Sequence, residues 1–141
     1  MADADRDRFL AAVERLALRM VPEPLRKVSA TAEAGRRAYG FADAPGFRVL
    51  VEFTARGLEV GIGLDGAAGE KLFGNLQASR GLLEQTLGKG LEFRGKKGAR
   101  WIGEAMPVSK PDARAAELLA RRLATYMLYF KPMMDDLGSR A

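Results

Sequence analysis

The chain contains no histidine and no cysteine. Without cysteine there can be no disulfide, no thiolate metal site and no cysteine nucleophile, and the redox compartment leaves no mark. Without histidine the commonest general base and the commonest transition-metal ligand are missing, together with every Ser-His relay. None of the serines (Ser29, Ser79, Ser109, Ser139) sits in a Gly-x-Ser-x-Gly elbow. No apolar run approaches the ~18–20 residues that span a bilayer. The alternation of Asp3, Asp5, Arg6, Asp7 and Arg8 is not a secretory leader, which needs a basic flank and an apolar centre. The expectation is a cytoplasmic protein with no catalytic residues, no metal, no cofactor and no membrane contact.

Charge is present but unevenly placed. The 141 residues carry 23 Lys and Arg against 18 Asp and Glu, a formal charge of +5. Between Leu87 and Ile102 stand Lys89, Arg94, Lys96, Lys97 and Arg100 against the single acid Glu92, with Phe93 and Trp101 among them. Basic side chains interleaved with aromatics suit a phosphate backbone and stackable bases. They equally suit a solvated hairpin over a core.

The spacing of apolar residues predicts one α+β domain over residues 1–141. Phe9, Val13, Leu16 and Met20 recur at helical intervals, and Pro22-Glu23-Pro24 ends that helix. Val28 and Tyr39 are candidates for short edge strands, with Gly35-Arg36-Arg37 in or near a turn. Val49, Val51 and Phe53 alternate with polar residues, as do Leu58, Val60, Ile62 and Leu64. With Arg56-Gly57 as the turn, Phe53 would face Val60, Val51 Ile62 and Val49 Leu64. The opposite side presents Glu52, Glu59, Gly61 and Gly63. Strand glycines mark close approach by another backbone, a helix, a second subunit or a ligand.

Asp65-Gly66-Ala67-Ala68-Gly69 leads into a helix bearing Leu72, Phe73, Leu76, Leu83 and Leu87, with Asp65 as its N-cap. Gly69-Glu70-Lys71-Leu72 lacks the Walker spacing, so a phosphate loop is not expected. Leu91–Arg94 and Ala99–Ala105 form a second hairpin through Gly95-Lys96-Lys97-Gly98. A long last helix starts near Pro111 and is kinked or broken at Pro132. The expected order is helix, two or three strands, helix, two strands, long helix, with the helices packed on an antiparallel sheet.

In the last helix no charged residue falls between Leu123 and Phe130. A helix apolar on all sides is buried on all sides or covered by a partner. Tyr126, Tyr129, Phe130 and Met133 are therefore candidates for a homodimer interface, with intramolecular core as the other reading. The acids Glu52, Glu59 and Asp65, and the pair Asp135-Asp136, lack the lysine of a nuclease Glu-x-Lys. Asp135-Asp136 reads as a frayed terminus.

The runs Leu72-Phe73-Gly74-Asn75-Leu76, Leu82-Leu83-Glu84 and Leu87-Gly88-Lys89-Gly90-Leu91-Glu92-Phe93-Arg94 resemble an uncharacterised prokaryotic domain family. That family occurs alone or C-terminal to predicted endonuclease modules. The likeness covers about Arg48 to Leu137. Phe93 stands where the family has Trp, and Trp101-Ile102 stands near a position where Arg-Ile is common. It implies a DNA-linked or defence setting without a known activity. The element order also resembles the type III secretion chaperone fold, whose members dimerise and bind extended peptides. Those chaperones are acidic, whereas this chain has a pI near 9.8.

Three functions stay open. The first is an accessory module that contacts nucleic acid through Lys89, Arg94, Lys96, Lys97 and Arg100, with Trp101 stacking. The second is a homodimeric protein- or peptide-binding module using the Met- and aromatic-rich last helix. The third is a small-molecule or metal-dependent enzyme.

Overall fold

The computed structural model describes residues 2–96, 99–107 and 110–139. Among these, α1 (Asp3–Met20) buries Phe9, Leu10, Val13 and Ala17, whereas Leu16 is half-buried and Met20, expected in the same stripe, is exposed at the helix end. The chain then makes one short helical turn, α2 (Glu23–Arg26), and enters β1 (Ser29–Glu33) and β2 (Arg36–Phe41). Gly35, at φ +71°, supplies the left-handed residue of the turn between them. Arg36 and Arg37, expected in or near that turn, are already paired strand residues.

β3 (Ala44–Thr54) and β4 (Gly57–Leu64) follow, with Val51 opposite Val60, Val49 opposite Ile62 and Phe53 opposite Leu58. The apolar faces are those expected, but the register differs from expectation by two residues. Ala55 and Arg56 form the turn, and Gly57 at φ +110° closes it against Met106, whose carbonyl oxygen lies 2.7 Å from where a Cβ would stand. A two-residue offset keeps every side chain on its own face, so hydrophobic pattern alone does not distinguish the two registers.

The expected single helix after Asp65 is two: α3 (Gly66–Ala78) and α4 (Arg80–Leu87). They meet at Ser79, whose N–H donates to Asn75 and Leu76 and whose carbonyl accepts from Leu82 and Leu83. β5 (Glu92–Lys96) and β6 (Ala99–Met106) form the second hairpin; its tip residues Lys97 and Gly98 lie outside the described residues. α5 (Ala113–Ser139) starts at Asp112, which accepts from the Ala115 N–H at 2.9 Å.

α5 runs through Pro132 instead of breaking there. The turn around the proline is held from both sides. Lys131 reaches Asp135 at 2.6 Å, and Phe130 and Met134 are buried. Asp135 is thus a paired residue inside the helix and not a frayed end.

The six strands form one antiparallel sheet in the order β1-β2-β3-β4-β6-β5. α5 crosses β3 and β4, α3 packs over β3, β4 and β6, and α1 lies against α5. The core between them holds Tyr39, Val49, Val51, Val60, Ile62 and Ile102 from the sheet and Leu123, Tyr126 and Phe130 from α5. Among the described residues no helix packs on the opposite face of the sheet. This is an α+β domain with its helices on one side of an antiparallel sheet.

Candidate functional site

Strand alternation divides the basic hairpin between two faces. Arg94, opposite Trp101, points to the uncovered face. There it lies 3.1 Å from Glu59 and 3.0 Å from Glu92, with its guanidinium 4.4 Å from the centre of the Trp101 ring. Arg100 belongs to the face under the helices, 3.5 Å from Glu70 of α3, with its side chain 18% exposed. Lys89 is exposed in the loop between α4 and β5. Lys97 and the side chain of Lys96 lie outside the described residues. The described cations of this segment therefore do not form one patch, and both arginines are matched by carboxylates.

Trp101 is half-buried on the uncovered face, and it explains the strand glycines. A Cβ on Gly103 would overlap Trp101 Cζ2, and one on Gly61 would stand 3.0 Å from Cε2. At Gly63 the neighbour is the Arg48 guanidinium, 3.0 Å from the position of a Cβ. The close approach that these glycines permit is made by the Trp101 and Arg48 side chains and, at Gly61 and Gly103, by the backbone of the neighbouring strand.

The same face carries a row of charge across the sheet. Glu33 on β1 lies opposite Arg36 on β2, Arg36 opposite Glu52 on β3, and Glu52 opposite Glu59 on β4. Like charges directly opposite each other destabilise a sheet. Here Arg36, 3.7 Å from Glu52, and Arg94, 3.1 Å from Glu59, hold the two acids from either side. Arg56 at the β3–β4 turn adds a bidentate pair with Glu92. Hydrogen bonds from Arg56 and then Arg94 hold the Glu92 carboxyl down at about 2. Asp65 occupies the N-cap position of α3, but its carboxylate pairs with Arg48 and makes no cap hydrogen bond.

The residues expected at a subunit interface are also divided. Tyr126 and Phe130 are 0% exposed within the monomer, with their rings stacked at 5.6 Å, and offer no surface to a second chain. α1, α3 and the sheet cover most of the charge-free stretch of α5, while Leu128 within it stays 44% exposed. Tyr129 and Met133 remain half-buried and line a largely apolar cleft of about 270 Å³ between α3, α4 and the end of α5, whose lining also includes Asn75, Ser79 and Asp136. Leu72, Leu76 and Leu83 form its buried floor, and Leu82 stands at its rim 64% exposed.

Three features were not anticipated from the sequence. Arg122 of α5 and Glu104 of β6 form a shielded ion pair under the helices. Lys131, 4% exposed, sits between Asp43 and Asp135 with its ammonium 5.2 Å from the Phe41 ring centre. Burial pushes the Tyr39 and Tyr126 phenols up, and the carboxylates of Glu14 and Glu104 add to the shift. A charged residue at a strand position that should be apolar, as at Glu104, is the signal that could have revealed the first.

Among the described residues no three acids converge as metal ligands, and no helix is long and apolar enough to cross a membrane. The chain matches no protein-family model, no curated protein and no solved structure.

Proposed function

We propose that the domain is a non-catalytic protein-binding module that receives an apolar, amphipathic helical segment of a partner in the cleft between α3, α4 and α5. The observation that carries this is Leu82. It is a large apolar side chain 64% exposed at the rim of a concave site floored by leucines and flanked by Tyr129 and Met133. Such a groove suits apolar anchors at helical spacing. A thioether beside an aromatic ring adapts to different occupants. The lack of histidine and cysteine supports the non-catalytic part of the reading.

Panning the full chain against a displayed library of random peptides tests this. Enriched peptides should carry apolar residues at i, i+3 or i+4, i+7 and bind with micromolar affinity. Leu82→Glu and Met133→Glu should each abolish binding. Leu128→Glu should not, because Leu128 is exposed on α5 but is not part of the cleft. Failure to enrich such peptides, or binding indifferent to Leu82→Glu, overturns the reading.

Contact with nucleic acid through the β5–β6 hairpin is a second reading. It is favoured by Trp101 and Arg94 standing together on the face that no helix covers. The carboxylates Glu52, Glu59 and Glu92 on that face weigh against it, since each repels phosphate. Anisotropy with short oligonucleotides decides: binding must be steeply salt-dependent and weakened by reversing Lys96 and Lys97 to Glu.

A further inference from the structure

β1 is the exposed edge of the sheet. All five of its residues are exposed, and among the described residues its only strand neighbour is β2. An edge of this kind presents unpaired backbone donors and acceptors, and proteins usually blunt it with charge, proline or a covering loop. Ser29-Ala30-Thr31-Ala32-Glu33 has no proline and only one charge, at its end. Its side chains are small, so nothing bulky stands in the way of another strand.

The charge row supplies the occupant. Glu33 is its outermost member, 62% exposed and only loosely held by Arg36 at 3.7 Å. The next position outward would be filled by a cation on a neighbouring strand. Six residues before Glu33, Lys27 is exposed in the tight turn that opens β1, where the Val28 N–H donates to the Arg26 carbonyl at 3.0 Å. Lys27 makes no ion pair among the described residues.

We propose that two copies of this chain pair through β1, antiparallel and centred on Ala30, so that their sheets become one. In that register Ser29 lies opposite Thr31, Val28 opposite Ala32, and Lys27 opposite Glu33 of the second copy, the last twice by symmetry. Residues 29, 31 and 33 share the uncovered face, and Lys27 stands two residues before the strand on a side chain long enough to reach Glu33 of the second copy, so both ion pairs would extend the existing charge row. Centring on Thr31 instead would set Lys27 against Gly35 and Glu33 against Ser29, with no ion pair formed. An isologous contact of this kind closes after two copies. It is independent of the cleft on α3, α4 and α5 and uses none of Tyr126, Tyr129, Phe130 or Met133.

Light scattering on the full chain at roughly 100 µM should return twice the 15.3 kDa chain mass. Lys27→Glu and Glu33→Lys each place like charges opposite each other twice, and should each weaken association about tenfold or more. Both positions are solvent-exposed, so circular dichroism should be unchanged. Mixing the two variants restores opposite charges at both contacts, and a heterodimer should form from chains that do not pair with themselves. A monomeric wild-type chain overturns the proposal. So does a dimer that survives both reversals, or a mixture of the two variants that stays monomeric.

Discussion

Arg122 on α5 donates to both carboxylate oxygens of Glu104 on β6, at 2.5 and 2.8 Å. Its Nη2 also donates to the Leu87 carbonyl at 2.8 Å, so one guanidinium ties the long helix to the sheet and to the end of α4. The two side chains are 26% and 12% exposed. Glu104 lies opposite Val60 on the core face of the sheet, where an unpaired carboxylate would be costly. The same Arg122 holds the wall from which the proposed binding cleft is built.

Removing one partner of this pair should cost more than removing both. Arg122→Ala is expected to destabilise the fold by about 2–3 kcal/mol, less than a fully buried pair because Arg122 keeps some solvent. Arg122→Met with Glu104→Leu should cost less than the sum of the two single changes. Urea unfolding of the four members of this cycle measures the coupling.

Acid should find Glu92 late. Its carboxyl is held at about 2, below the ordinary 4.5, chiefly by hydrogen bonds from Arg56 and then Arg94. A depressed carboxylate contributes stability that is present above its unfolded pKa and lost as pH falls through the folded value. For Glu92 that window runs downward from 4.5 to about 2. In Arg56→Ala the carboxyl resonance of Glu92 should titrate closer to 4.5. An unmoved midpoint would show that the bidentate pair is not the cause.

Trp101 is the only tryptophan, so its fluorescence reports on the uncovered face without ambiguity. Arg94→Ala should shift emission to the red by removing the guanidinium that covers the ring. Trp101→Ala should cost about 1–2 kcal/mol, below the ~3–5 of a fully enclosed ring. Gly103→Ala should cost about 2–3 kcal/mol, since its Cβ would overlap the ring and also lie 2.8 Å from the Gly61 Cα, backbone that cannot turn aside.

Element types and facing were legible wherever periodicity is strong. Phe9 and Val13 on α1 and Val49 and Val51 on β3 require one buried side, and the chain provides it, although the same patterns continue to Met20, which is exposed, and Phe53, which is half-buried. Of the kink or break expected at Pro132, the break does not occur, because intrahelical bonds and buried neighbours on both sides outweigh one missing N–H. The split at Ser79 was hidden because Leu83 and Leu87 continue an apolar pattern across the bend. The β3–β4 register escaped because a two-residue offset leaves the pattern of apolar faces unchanged.

By itself the sequence determined which side chains needed covering and which chemistries were absent, since both follow from residue type and spacing along the chain. Only the tertiary structure decided who covers what. It turned the charge-free stretch around Tyr126 and Phe130 inward against its own sheet. It set Trp101 over Gly61 and Gly103, and separated Arg94 from Arg100 onto opposite faces. Those outcomes depend on contacts between residues distant in the chain, such as Glu104 with Arg122 or Glu59 with Arg94. Local spacing carries no information about such partners, because pairing across a sheet or between layers is selected by the packing of the whole domain.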